Sequence, residues 1–184
     1  MNEQNATPTD VPPAKEPAAT PLISAEEFAL SDYPIIHVPE NRAYALGEVA
    51  RKIAGQGNGT TENFLKGLLG EYSYAKTLGK EQKINSEVYT DGGDGGTDLN
   101  YRGATIDVKT VGQHRNDPAL TVDAYKTLNA DYYALASRIS KIDLRLIGYA
   151  PRQFVANAPK KQHNGEPYHI VDQRYLFPFP SALV

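Results

Sequence analysis

The chain contains no cysteine. That absence removes disulfide scaffolds, thiol nucleophiles and cysteine-ligated zinc at once. Long apolar runs are missing as well. Nothing approaches the roughly 20 consecutive apolar residues of a membrane-spanning helix, and the N-terminal segment has no signal-peptide core. A soluble protein with no membrane contact and a cytoplasmic location is the resulting expectation. A net basic charge is also lacking. With 19 Lys and Arg against 22 Asp and Glu, the chain carries −3, so no global field advertises nucleic-acid binding. The charge is uneven, however. The part up to Val108 is net acidic and the part from Lys109 onward is net basic.

What is present suffices for one core. The 184 residues are 40% hydrophobic, enough for one sizeable domain and too few for two comfortable ones. Residues 1–25 are rich in Pro, Ala, Thr and Glu, with Pro8, Pro12, Pro13, Pro17 and Pro21. Such a segment buries too little apolar surface to offset its ordering entropy. A disordered tail at 1–25 and a single domain at 26–184 are therefore expected.

Within that domain, Ser24 caps a short helix through Leu30, and Tyr33 to Val38 reads as a strand or extended arm. Ala43, Leu46, Val49, Ala50 and Ile53 recur at helical spacing and predict a helix over 41–54. Thr60 or Thr61 caps a second helix that runs to Leu78, with Gly79 as its stop. Its buried stripe is expected to hold Phe64, Leu68, Ala75 and Leu78, with Glu71 at the edge. Strands are expected at Val88–Tyr89, in a hairpin over 97–111, and at 120–122, 131–137, 144–149 and 168–171. Pro151 opens a short helix, residues 158–167 form a polar loop, and the aromatic segment 175–179 packs against the rest. This order predicts an α/β mixed sheet with flanking helices.

The chemistry concentrates in the hairpin. Its second strand alternates, so Thr105, Asp107 and Lys109 share one face while Ile106, Val108 and Val111 lie mostly on the other. A carboxylate and an ammonium project side by side from a strand with an apolar back, and Asp98 on the partner strand reaches the same spot. Paired carboxylates suit a hard divalent cation. The implied reaction is metal-assisted attack on a phosphodiester.

Asp98, then Asp107-Val108-Lys109, preceded by a helix carrying Gly70-Glu71, resembles the PD-(D/E)XK nuclease superfamily. Its signature is an acid on one strand, then Asp/Glu-x-Lys on the next, often after a helical Glu. The match covers roughly residues 60 to 150. The family's proline before the first acid is replaced by Thr97. The resemblance implies a restriction-endonuclease-like mixed central β-sheet flanked by α-helices and a metal-dependent deoxyribonuclease activity. It also implies Mg²⁺ or Mn²⁺ held by Glu71, Asp98, Asp107 and the Val108 carbonyl. Lys109 would stabilise the transition state, Thr110, His114 and Arg115 would contact DNA, and a homodimer would serve duplex cleavage. Restriction enzymes, junction resolvases, repair nucleases and phage-encoded nucleases are small enzymes of this type.

Each of these residues also has a plainer reading. Asp107 and Lys109 alone make an ordinary ion pair on an edge strand. Asp98 is also a plausible turn residue, with Asp91 and Asp94 as rivals for the first acid. Glu71 alone is a solvated helical Glu, and His114-Arg115 a solvated loop. The glycine-rich run 91–96 resembles a calcium loop only superficially, because the twelfth position is Arg102 counting from Asp91 and Thr105 counting from Asp94, where a Glu is required. An inactive nuclease fold kept as a DNA-binding or protein-interaction module is the competing reading.

Overall fold

The computed structural model describes residues 33–56, 59–79, 97–112, 117–163 and 165–178. The expected tail at 1–25, the helix at 24–30, the strand at Val88–Tyr89, the glycine run at 91–96, His114, Arg115 and Phe179 lie outside the described residues. The elements are β1 (Ile35–His37), α1 (Glu40–Ala54), α2 (Thr61–Thr77), β2 (Leu99–Tyr101), β3 (Ala104–Val111) and β4 (Ala119–Asp123). They continue with β5 (Tyr132–Arg138), β6 (Asp143–Pro151), α3 (Arg152–Ala156), β7 (Lys160–His163), β8 (Glu166–Asp172) and a 3-10 turn at Gln173–Tyr175.

Five strands form a mixed sheet in the order β1-β6-β5-β3-β2, in which β3 and β5 run parallel and the other neighbours antiparallel. A second, antiparallel sheet has the order β4-β8-β7. The architecture is thus mixed α/β, a mixed sheet with flanking helices. No helix among the described residues is long and apolar enough to cross a membrane.

The large sheet is covered on both faces. One face carries Ile106, Val108, Ala134, Ala136, Leu144 and Leu146 against α1 and α2. The other carries Tyr133, Leu135, Ile147 and Ala150 against Leu120, Val122, Val155 and Val171. Strands buried on both faces lose the polar–apolar alternation of a half-exposed strand, which explains the continuous apolar writing of β5 and β6.

Several local expectations match. Thr60 caps α2 by accepting from the Asn63 N–H at 3.2 Å, and Gly79 takes the left-handed conformation that ends the helix, φ 66°. The last aromatic residues do pack, since Phe177 pairs with Tyr149 in an isolated bridge and stacks on its ring.

Three expectations change. Helix α2 has no narrow stripe, because every residue from Leu68 to Ala75 is buried; the helix lies between α1 and the sheet. The polar loop expected at 158–167 contains β7, which pairs with β8 through Lys160↔His169 and Lys161↔Tyr168. Its Lys-Lys-Gln-His sequence carries no apolar period because an edge strand is held by backbone pairing and keeps its charges in water. Val111 is on the same face as Asp107 and Lys109 and packs into the second cluster, as strict alternation along β3 requires.

Candidate functional site

The β2–β3 hairpin sets the geometry. Tyr101 pairs with Ala104, leaving Arg102 and Gly103 as a two-residue turn with φ of 51° and 86°. Positive φ at both positions is the turn that matches strand twist, and Gly103 takes it without a steric cost. The turn fixes Leu99 opposite Ile106. Asp98 then continues the pairing, with its N–H donating to the Ile106 carbonyl at 2.9 Å. Its carboxylate folds over the next free amide of β3, and Oδ2 accepts from the Val108 N–H at 2.6 Å. In a strand the N–H and C=O of one residue point to the same side. The Val108 carbonyl therefore opens toward the same edge as the Asp98 carboxylate.

Asp107 and Lys109 project from the other face of β3, away from α2. Lys109 Nζ lies 2.8 Å from Asp107 Oδ1. Asp107 is buried, whereas the Lys109 side chain keeps 38% of its surface exposed. Burial works to depress the ammonium, but the Asp107 carboxylate beside it, aided by Asp98 and Asp123, holds its pKa above the usual lysine value. The ammonium is accordingly charged at neutral pH, which suits electrostatic stabilisation and not proton abstraction. Tyr133 on β5 borders the pair; burial, chiefly, raises its phenol, with Asp107 adding to the effect and Lys109 opposing it.

Asp98, Asp107 and Lys109 are thus brought together. Glu71 is buried, but on α2, in the layer packed against the opposite face of the sheet. Thr110 belongs to that layer too. A Cβ placed on Gly70 would collide with Thr110 Oγ1, so the glycine before Glu71 lets the helix meet the strand closely. Thr110 Oγ1 is buried without a hydrogen-bond partner, so helix α2 stands between it and a DNA contact. Among the described residues no three His, Asp or Glu side chains form a group that could hold a metal ion.

Comparison of the chain with family models, curated proteins and solved structures finds no match.

The donor set that remains is Asp98, Asp107 and the Val108 carbonyl. These are oxygen ligands, and Mg²⁺ is typically held by one or two carboxylates with water completing its shell. They fit such an ion in chemistry, provided that it displaces the Lys109 contact from one Asp107 oxygen. Two further residues escaped the sequence reading. Asp123, at the end of β4, acts on Lys109 from the second sheet and pairs with Lys126 at 2.7 Å. Its only sequence signal is a lone Asp after Leu-Thr-Val. Asp131 ties the turn end of the hairpin to β5, accepting from the Thr105 N–H at 3.0 Å and the Thr105 hydroxyl at 2.9 Å. These bonds, the backbone one first, hold its carboxyl below the usual range.

Proposed function

We propose that this protein is a metal-dependent endonuclease that hydrolyses DNA phosphodiester bonds, with its sheet as a restriction-endonuclease-like core of the PD-(D/E)XK kind. The observation that carries the proposal is the Asp98 carboxylate on the Val108 amide, one residue from the Asp107–Lys109 pair. Asp98, Asp107 and the Val108 carbonyl would hold Mg²⁺ or Mn²⁺, with Glu71 as the family's remaining ligand. When bound, the ion polarises the scissile phosphate and lowers the pKa of a coordinated water. Lys109 keeps its proton and places positive charge where the phosphorane charge develops. Asp98 holds the Val108 peptide in register, so its carbonyl stays aimed at the edge that carries the Asp98 carboxylate. A homodimer related by a two-fold axis would supply the second site that duplex cleavage calls for.

The test is incubation with supercoiled, linear, branched and single-stranded DNA, with and without Mg²⁺ or Mn²⁺. The expected result is cleavage that EDTA abolishes. Undiminished cleavage in excess EDTA, or none on any substrate, would overturn the proposal. The placement of Glu71 in the helix layer favours a second reading, a nuclease fold kept as a DNA-binding or protein-interaction module. Calorimetric titration with Mn²⁺ separates the two, because only the enzyme needs a saturable metal site lost in Asp107→Ala.

A further inference from the structure

We propose that a cleft at the turn end of the β2–β3 hairpin, between Arg102 and Arg152, binds backbone phosphates of a nucleic acid strand. The inference rests on the nuclease reading only for the class of ligand. The cleft has a volume of about 510 Å³ and is lined by Arg102, Ala104, Asp131, Tyr132, Arg152 and Gln153. Its two guanidinium groups come from separate elements. Arg152 begins α3 and donates from Nη2 to Asp131 Oδ1 at 3.1 Å. The other Asp131 oxygen is held by Thr105. Both carboxylate oxygens are therefore engaged within the protein, and Asp131 aims the Arg152 side chain while leaving its Nη1 and Nε without an acceptor among the described residues. Among the described residues Arg102 has no carboxylate partner, and it lies over the Tyr101 ring at 5.3 Å from its centroid.

The conformation of Arg102 adds a second observation. It is the only non-glycine residue with positive φ among the described residues. The first position of such a turn prefers Asn, Asp or Gly, and an arginine there carries a steric penalty. A penalised residue at a turn tip, with no carboxylate partner among the described residues and beside a second arginine, marks a position held for binding and not for stability. The cleft also lies on the strand that bears the proposed chemistry. Thr105, which anchors Asp131, shares its face of β3 with Lys109 four residues on, about 13 Å away at the rise of a strand. That separation equals the axial rise of roughly four base pairs of a duplex. A phosphate held in the cleft would set the register of a strand whose scissile bond lies at Lys109.

The test measures binding separately from cleavage. Labelled duplex DNA is titrated in EDTA, where no hydrolysis interferes, at several salt concentrations. The proteins are wild type, Arg102→Gly, Arg102→Lys, Arg152→Ala, the double variant Arg102→Gly/Arg152→Ala, and Arg51→Ala as a control of equal charge change on α1. Each lost phosphate contact should weaken binding roughly tenfold and reduce the salt slope by about one. The double variant should therefore lose about two, while Arg102→Lys and the control stay near wild type. Arg102→Gly should also melt about 2–4 °C higher, since glycine removes the turn's penalty. Weaker binding in a more stable protein is an outcome that a structural role for Arg102 does not produce. The proposal is overturned if Arg102→Gly and Arg152→Ala bind DNA with wild-type affinity and slope, or if the wild-type protein binds no DNA. Failure of the nuclease reading shows differently, as wild-type DNA binding that depends on the cleft with no cleavage in any metal.

Discussion

The two faces of β3 are covered to different degrees and are held by opposite means. Toward α2, Ile106 and Val108 are buried among leucines and tyrosines. Toward the second sheet, Asp107 is buried too, but its partner is a partly exposed ammonium. Burying an apolar face stabilises the fold through area alone, at roughly 25 cal/mol per Å². Burying a charge costs free energy unless a countercharge accompanies it. The apolar face is therefore the part of the strand that the fold requires, and the charged face is the part whose presence asks for a function.

The largest effect should come from the apolar face. Ile106→Ala removes a fully buried side chain and should destabilise the protein by about 2–5 kcal/mol, measured by urea denaturation. A loss below 1 kcal/mol would mean that β3 is not anchored by that face. Next is the charged face. Lys109→Ala should lower the cleavage rate by roughly a hundredfold or more in a protein that still folds, and should also lower the melting temperature, because the buried Asp107 carboxylate loses its countercharge. Asp107→Ala should likewise abolish cleavage while DNA affinity holds or rises, since a negative charge facing the phosphate is gone. Full activity in either variant would detach the chemistry from this strand.

A third expectation concerns the close contact between the layers. Gly70→Ala should cost about 1–3 kcal/mol, because the added methyl meets Thr110 where α2 and β3 touch. Gly70→Ala combined with Thr110→Ala, which removes the colliding Oγ1, should recover part of that loss, and no recovery would place the strain elsewhere. The smallest effect is a titration. The Lys109 pKa is raised in the folded protein, so the stability contributed by its pairing is fully present below about pH 10.5 and is lost as pH rises through the higher folded value. Asp107→Asn leaves burial opposed only by Asp98 and Asp123, so the Lys109 pKa should fall relative to wild type when followed by NMR. An unchanged value would show that Asp107 is not its main partner.

Much of this frame was legible from local pattern. The 3.6-residue period marked α1, the Thr60 cap and Gly79 stop bounded α2, and the two-residue alternation of β3 placed Asp107 beside Lys109. The hairpin turn needed only the glycine at 103. Less was legible where partners come from afar. The burial of α2 all round was hidden because its second neighbour, α1, leaves no trace in the spacing of α2 itself. Strand β7 was hidden because backbone pairing with β8 holds it, and its side chains remain polar. Asp123 was hidden because it reaches Lys109 from another sheet.

The sequence alone determined which side chains share a face, since periodicity is a property of the local backbone and acts within a few residues. It therefore settled that an acid and a lysine stand together on β3 with an apolar strip behind them. Only the tertiary structure decided what meets them. Strand register brought Asp98 onto the Val108 amide, layering put Glu71 across the sheet from Asp107, and the end of β6 carried Arg152 to the hairpin turn beside Arg102. Those juxtapositions depend on pairings between residues far apart in the chain, and no local period encodes them.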